Sequence, residues 1–578
     1  MISHMDRGAS QGSSVSRHLS RRGFLTAAAG TAGAFAAGPV LAACGAGPAT
    51  QTGSTSTSQL AKIMPAYVPL SSGIKPDYPS VDGSQPGFLT YPTSLVHTVS
   101  ETPGSGGSYT AIAPDWGAIP RTVGNTYYEA LNAALGANIQ WQPTNGTTIT
   151  TTLPTLFAGN KLPDWIQVPT WAQPPGFGQA TQTKLADLTP YLAGDKIKQY
   201  PNLAAIFTSG WQQGIWNNKI VGMPTVVTGF PTGVFLFYRA DILDKLGLGT
   251  PSVKSLSDLY NLGKEINDPK AKRWAFDDIW QFMSYPYGSS FAPTLVWTTD
   301  SKGDLITTYE TEQIIEAMNW ERTIFQAGMV HPDAVAGNTG TGKQRFWSGQ
   351  NIIVADGGGA WGYQDATSGL AANKGYERLA FDFFTADGTG TPRVALAPST
   401  EYVSYFNRDL KPAQLKELLR IANYLAAPYG SYEYTLVNFG AANTDYTMSN
   451  SGPVLTATGN KDVDNVVPNL LASPNIVVTN PGFPAITTQT SQFLARNAKY
   501  GFKPLFYGMN VTVPNDLTAA NQFAPFTGTG GINFIMYDVV RGRASIADYK
   551  STVQTWLRGG GSKLKAFYET VRQKYGTA

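Results

Sequence analysis

The sequence predicts an α/β fold in which short apolar strands alternate with amphipathic helices. Val234–Tyr238 is an apolar and aromatic run of strand length, bounded upstream by Gly and Pro and followed by a helix that opens at Ala240 or Asp241. Tyr109–Ala113 predicts the first strand, and a turn separates it from a helix over Asn125–Leu135. With 578 residues, 42% of them hydrophobic, the chain can form two or more domains with sizeable cores.

The same alternation continues to the C-terminus. Ser255 and Ser257 cap the start of one predicted helix, and an Asn-Asn turn between apolar runs predicts a hairpin. The remaining predicted elements are a helix over Thr148–Ala158, a strand over Leu162–Val168, the hairpin Ile215–Pro224, helices over Leu256–Ile266 and Thr311–Ala327, a crossing strand over Val394–Phe406, a helix over Pro412–Leu425 and helical structure over Ile532–Tyr575.

The charge balance excludes a general attraction to nucleic acid. The chain has 42 Lys and Arg against 39 Asp and Glu, and removal of residues 1–43 leaves 38 of each. A mature chain without net charge has no overall cationic field for gathering nucleic acid. Charged residues make up only 14%, below the roughly 25% usual for soluble domains, which is typical of a loop-rich exported protein.

Cysteine and histidine usage limits the chemistry. The single cysteine, Cys44, excludes an intramolecular disulfide framework and a Cys-based zinc cluster. Of the four histidines, two lie in the N-terminal segment, which leaves His97 and His331 for any triad or metal site. We therefore expect no cofactor and no metal site.

The N-terminus has the pattern of an export signal. Ser20–Leu25 contains a twin arginine, and the run Thr26–Ala42 is too short and too rich in Ala and Gly for a dependable membrane span. Leu41–Cys44 resembles the bacterial lipobox, in which the signal is cut before the cysteine and the cysteine is lipidated. An ordinary secretory signal with an incidental cysteine is the alternative. Two acyl chains on Cys44 would tether the mature protein to a membrane.

Several motifs in the expected order resemble the type I extracellular solute-binding proteins of ABC importers, carbohydrate type. Tyr238–Gly247 resembles the helix that follows the strand between the lobes in that family, and Leu185–Tyr191 resembles its Leu-x-Asp-Leu-Thr-Pro-Tyr segment. Phe346–Val354 resembles its Phe-x-x-Gly-x-x-Ala-Met motif, with Asn351 and Ile352 as departures. The resemblance covers residues 62–578 and implies a periplasmic-binding-protein-like fold with two interleaved lobes joined by a hinge.

The resemblance and the composition together predict the domain organisation. The lobes interleave because the family's chain crosses between them more than once. We predict a signal peptide at 1–43, a flexible linker at 44–61, an extended lead-in at 62–108, a first lobe from 109–232 and 407–500, and a second lobe from 233–406 and 501–578.

Candidate ligand contacts lie in loops that follow predicted strands, because open α/β sheets bind ligands outside the carboxyl ends of their strands. Asp115 and Trp116 follow the first strand, although Trp116 could instead plug the sheet end. The resemblance implies ligand contacts from the loop that carries Trp171. It also implies an aromatic contact in the loop after the Phe346–Val354 motif, where glycines precede Trp361. Further candidates are Tyr363 in that loop and Trp280, which lies in a dense aromatic cluster more typical of a core.

The resemblance implies a non-enzymatic, monomeric binding lipoprotein on the outer face of the cytoplasmic membrane. It would capture a sugar or oligosaccharide and deliver it to the transmembrane subunits of an ABC permease. One alternative is a secreted polysaccharide-degrading enzyme, which would need carboxylates that face one scissile glycosidic bond. The candidates for these carboxylates are Asp115, Asp277 and Asp278. The other is a carbohydrate-binding surface protein without transport.

Overall fold

The computed structural model describes residues 57–576 except 71, 160, 292–295, 451 and 522–530. The predicted signal peptide and most of the linker, including Cys44, lie outside the described residues. Among the described residues, no helix has the length and apolar character needed to cross a membrane.

Among the described residues, nine strands build two mixed sheets, and shorter pairings of two to four residues connect other parts of the chain. In chain order the sheet strands are β1 (Ser108–Asp115), β2 (Asn138–Asn145), β3 (Trp165–Pro169), β4 (Gly222–Val227), β5 (Phe235–Arg239), β6 (Trp274–Phe276), β7 (Asn351–Asp356), β8 (Arg378–Ala380) and β9 (Thr400–Phe406).

The principal helices surround these sheets. They are α1 (Thr57–Ile63), α2 (Thr126–Leu135), α3 (Ile149–Ala158), α4 (Phe177–Thr183), α5 (Ala240–Lys245), α6 (Leu256–Ile266), α7 (Glu312–Gln326), α8 (Gly342–Ser348), α9 (Tyr363–Ala372), α10 (Pro412–Leu425), α11 (Tyr432–Phe439), α12 (Val466–Leu471), α13 (Pro484–Asn497), α14 (Ile532–Val540), α15 (Ile546–Trp556) and α16 (Ser562–Tyr575).

Local chemistry sets the ends of several elements. The Asn125 side chain accepts a hydrogen bond from the amide of Tyr128 and caps α2, and Ser255 caps α6 in the same way through Asp258. Asn217 and Asn218 both adopt positive φ, at 50° and 61°, between the short paired strands Ile215–Trp216 and Lys219–Ile220. Two consecutive residues at positive φ are the requirement of a tight hairpin turn, as predicted.

The first sheet has the strand order β2-β1-β3-β9-β4. β1 pairs parallel with β2 and β3, whereas β9 runs antiparallel to both β3 and β4. Alternate residues of β9 enter the cores on the two sheet faces, with Tyr405 packing near α3 and α4 and Phe406 packing near α2 and α10. This sheet with its helices forms the first lobe.

The second sheet has the order β8-β5-β7-β6 and belongs to a separate, larger core. β5 runs antiparallel to β7 and β8, and β6 runs parallel to β7. Arg239 at the end of β5 is fully buried, and its guanidinium donates to both carboxylate oxygens of Asp241 at 2.8 and 3.0 Å. The predicted two-lobed α/β fold is therefore confirmed.

The chain crosses between the lobes along adjacent segments. Residues 228–234 join β4 to β5, and residues 396–399 return to β9; Thr228 N–H donates to Ser399 C=O at 3.0 Å and Ala397 N–H donates to Pro231 C=O at 2.9 Å. A third segment lies beside them. Gly501–Phe502 pairs in parallel with Val394–Ala395, which directly precedes the second crossing. These paired backbones form the hinge.

Two expected boundaries differ from the structure. The second crossing, predicted over 394–406, is shorter than expected, because residues 400–406 form β9 in the first sheet, so this lobe boundary precedes residue 400. Helix α13 packs in the second core through Phe493 and Leu494, so the later boundary falls before residue 484 and not at 500. The reason is tertiary pairing with distant strands, which local periodicity does not encode.

The lead-in lies along the first lobe and reaches the hinge. Buried Glu433 accepts hydrogen bonds from the amides of Thr98 and Val99 and holds the end of the lead-in. Further back, Gly83 and Gly229 pass so closely that a Cβ on Gly229 would lie 2.5 Å from the Gly83 carbonyl oxygen. Only glycine allows the lead-in to pass the hinge at this distance.

Candidate interlobe binding site

The inner rim of the first lobe forms where three strands meet. β1 and β3 end at Asp115 and Pro169, and β9, which runs the other way, begins at the same edge because Tyr402 pairs with Pro169. Trp116 and Trp171 follow the two strand ends and remain 41% and 48% exposed. Large indoles exposed to this extent are available for contact with a ligand.

A glycine holds Trp116 in its place. The indole lies 5.8 Å from the Tyr402 ring, and a Cβ on Gly146 would lie 2.6 Å from the indole atoms. Gly146 follows β2, the neighbour of β1, so the sheet register brings the missing side chain under Trp116. The Trp116 indole therefore packs on the main chain at Gly146, and part of its surface remains exposed to solvent.

Asp115 is buried and organises the turn beneath Trp116. Its carboxylate accepts a hydrogen bond from the amide of Gly117 at 2.6 Å. Burial raises the pKa of Asp115, and the Gly117 hydrogen bond opposes this effect. Nearby, burial also raises the pKa of Asp464 to about 6, the hydrogen bond from the Tyr128 hydroxyl lowers it, and the charge on Asp115 adds to the increase.

Glu401 is a carboxyl group of this rim that sequence reasoning missed. It is half-buried in β9, and burial raises its pKa from 4.5 to about 7. Its main-chain carbonyl accepts hydrogen bonds from the amide and hydroxyl of Thr170, directly before Trp171. The only sign of Glu401 in the sequence was a glutamate within an otherwise apolar predicted crossing, and no motif indicated a role for it.

Tyr285 belongs to the second lobe and contacts the first crossing between the lobes. Burial, and then the charge on Glu401, act to raise its pKa to about 12, while hydrogen bonds from the amides of Gly233 and Val234 oppose this. Gly233 lies in the first crossing, directly before β5. Burial, and after it the charge on Glu401, also raises the pKa of the adjacent Tyr402.

The structure does not place Trp361 on a cleft wall. Its side chain is 5% exposed and its ring packs edge-on against Phe237 and Phe493, with both ring centroids 5.5 Å away. The preceding glycines form a tight turn after β7, and the indole inserts between the second sheet and α13. Glycine content alone could not indicate this packing.

The side chains of Trp280 and Tyr363 also pack against other residues of the protein. Trp280 is 4% exposed and stacks on Phe291 with the centroids 5.6 Å apart, so it is part of the second core. Tyr363 is half-buried, its amide donates to Asn480, and its ring packs on a cluster that includes Phe88 and Tyr429. Tyr363 thus packs against side chains that lie next to the first lobe, although it belongs to the second lobe.

The carboxylates considered for an enzyme do not form a facing pair. Asp277 is buried and its two oxygens accept hydrogen bonds from Arg345 at 2.8 and 3.0 Å, with Asn351 as a further donor. Asp278 instead caps the following turn by accepting from the amide of Trp280. His331 caps the helix that begins at Pro332, where its side chain accepts a hydrogen bond from the amide of Asp333.

Two α/β lobes, joined by paired crossings and carrying open indoles and carboxyl groups at the connecting rim, define a two-lobed binding protein. The sequence profile of the bacterial extracellular solute-binding protein family matches residues 120–433, more than half of the chain. The chain belongs to this family, as its motifs predicted. A comparison with curated proteins finds no match.

Solved structures show the same fold at low sequence identity. The alginate-binding protein AlgQ2 without calcium ion is 13% identical with a TM-score of 0.56, covering 82% of this chain and 98% of its own. The N-glycan transport solute binding protein NgtS of Streptococcus pneumoniae, in complex with Man1GlcNAc, is 12% identical with a TM-score of 0.55, covering 82% and 100%. An HMO-binding, ABC-transporter-associated solute binding protein of Bifidobacterium longum infantis gives the same four values.

Proposed function

We propose that this solute-binding protein captures a sugar or oligosaccharide between its lobes, closes by hinge bending and delivers the ligand to an ABC permease. The observation that carries the proposal is the inner rim of the first lobe. There Trp116 and Trp171 are exposed at the ends of adjacent strands, with Asp115 and Glu401 in the same rim.

The chemistry of this rim matches a pyranose. An indole face packs well on the apolar face of a sugar ring, and carboxyl oxygens accept hydrogen bonds from hydroxyl groups. Below about pH 7 Glu401 keeps its proton and can also donate. The alginate-binding protein and the N-glycan transport solute binding protein, which have the same fold, support this ligand class.

Hinge closure follows from the connections between the lobes. The two central crossings are held together by backbone hydrogen bonds between residues 228–231 and 397–399, so they would bend as one unit. Glu401 and Tyr285 lie at the two ends of this connection. Closure around a sugar would remove both indoles from water and bring the second lobe onto the ligand.

A lipid anchor would keep the protein close to its permease. The Leu41–Cys44 lipobox would provide a lipid anchor on the outer face of the cytoplasmic membrane, and residues 44–61 would act as a flexible spacer. We propose that the tethered protein works as a monomer with the transmembrane subunits of the permease as its partner.

A thermal-shift screen with mono- and oligosaccharides, followed by calorimetric titration, tests the ligand class. A ligand at 100 times its Kd stabilises the native state by about 2.7 kcal/mol, which such a screen detects. Loss of the shift in Trp116→Ala, with a normal ligand-free melt, would assign the binding to the rim. The absence of a shift with every saccharide would reject the sugar proposal, and sustained product release from a polysaccharide would favour an enzyme.

A further inference from the structure

The second lobe contains a cavity that the interlobe site does not use. It has a volume of about 660 Å³ and lies beside β8, the edge strand of the second sheet. Its walls come from β8, residues 250–254, the segment that follows β8, and the polar face of α13. All of these elements belong to the second lobe, and the volume is in the range of small-molecule pockets.

One wall of the cavity is formed by the ring of Trp361, which is 5% exposed. Its indole N–H is buried with almost no accessible surface and has no hydrogen-bond partner within the described part of the chain. The ring therefore gives the cavity an apolar wall, which can pack on the C–H groups of a ligand.

The edge strand supplies further hydrogen-bonding groups. Phe381 N–H donates to Leu236, and Glu377 C=O accepts from Ala240, so the odd-numbered residues of this strand face β5. Ala380, which lines the cavity, therefore directs its N–H and C=O toward the open edge. A ligand there meets a donor and an acceptor side by side.

The polar side chains of the cavity are largely neutral. Gln489 and Gln492 of α13 line it, and each amide can both donate and accept. Asp382 and Arg496 also line it, but they pair with each other at 3.0 Å and are both half exposed. Lys254 lies at an exposed position of the lining. The cavity thus offers mixed donors and acceptors beside aromatic rings.

We propose that this cavity is a second ligand site that binds a neutral saccharide of mono- or disaccharide size, independently of the interlobe cleft. Hydroxyl groups both donate and accept, which matches the Ala380 backbone and the two glutamines, while the ring C–H face matches the aromatic wall that includes Phe381. The proposal does not depend on the nature of the cleft ligand.

The test uses calorimetric titration of the purified full chain with glucose, galactose, maltose and cellobiose. A double variant, Trp116→Ala with Trp171→Ala, removes the indoles of the cleft rim. In that background we expect at least one of these sugars still to bind. Adding Gln492→Leu, which removes a side-chain donor and acceptor from the lining, should weaken the remaining binding about tenfold.

The outcomes separate this proposal from the proposed cleft function. No binding of any of the four sugars to the double variant, or binding that Gln492→Leu does not change, would overturn the cavity site. Equal binding by wild type and double variant would instead reject the role of the cleft indoles. Gln492 is exposed on α13, so Gln492→Leu should leave the ligand-free melting temperature unchanged.

Discussion

Replacing Glu401 with glutamine should change how the stability of the protein depends on pH. Glu401 is half-buried at the lobe connection, and burial raises its pKa from 4.5 to about 7. Between these pH values the folded protein keeps a proton that the unfolded chain has lost. The free energy of unfolding therefore decreases as pH rises through this window.

The size of the effect follows from the same two values. At about 1.4 kcal/mol per pH unit, the interval from 4.5 to about 7 corresponds to about 3 kcal/mol at most. Solvent around the partly exposed carboxyl group reduces the expected change to about 1–2 kcal/mol. Glutamine has nearly the same shape and does not titrate, so Glu401→Gln should be more stable than the wild type by this amount at about pH 8 and equal to it near pH 4.5.

Urea unfolding of both proteins across this pH range, followed by tryptophan fluorescence, measures the difference. Glu101→Gln, at an exposed glutamate of the lead-in, is the matched control and should track the wild type. Asp115 and Asp464 are present in every variant, so their titration cancels in the comparison. The same pH dependence in Glu401→Gln and the wild type would refute the argument that burial perturbs Glu401.

The other predictions address the rim, the core and the tether. Trp171→Ala should weaken sugar binding by about 1–3 kcal/mol in calorimetry and leave the ligand-free melt within about 0.5 kcal/mol, because the indole is 48% exposed. Trp361→Ala should destabilise the ligand-free protein by about 3–5 kcal/mol in urea unfolding, because it leaves a cavity among packed rings; an unchanged melt would contradict its place in the core. Gly146→Ala should displace Trp116 and reduce sugar affinity, whereas unaltered affinity would show that the indole position is not needed. Cys44→Ser should release the protein from washed membranes, and its retention there would refute lipidation at this cysteine.

Much of the fold could be predicted because its elements have strong local signals. The run ending at Tyr238 forms β5 within one residue of the predicted bounds, since an aromatic strand between Gly-Pro turns and a helix start has few other structures available. The predicted helices over 256–266 and 412–425 have the same bounds in the structure. Their apolar spacing, with a serine cap in one and a proline at the start of the other, defines both ends.

The site was less accessible to sequence reasoning. Trp116 and Trp171 follow strands, and the rule that ligands bind beyond strand ends was sufficient to place both at the rim. Trp361 follows a strand equally closely, but α13, about 130 residues later, covers it. Glu401 acquires its raised pKa only through its burial in the folded protein. Contacts between distant segments leave no local pattern.

The close passage of Gly83 and Gly229 brings the lead-in, which follows the predicted tether, against the first crossing between the lobes. The lead-in begins where the predicted lipid anchor's spacer ends, and it is fixed to the first lobe by Glu433. At Gly229 the main chain of the lead-in contacts the main chain of the first crossing, with no side chain between them. If the lobes close by bending at the hinge as proposed, this contact would restrict any movement of the first crossing toward Gly83, and the lead-in would limit the arc of the hinge.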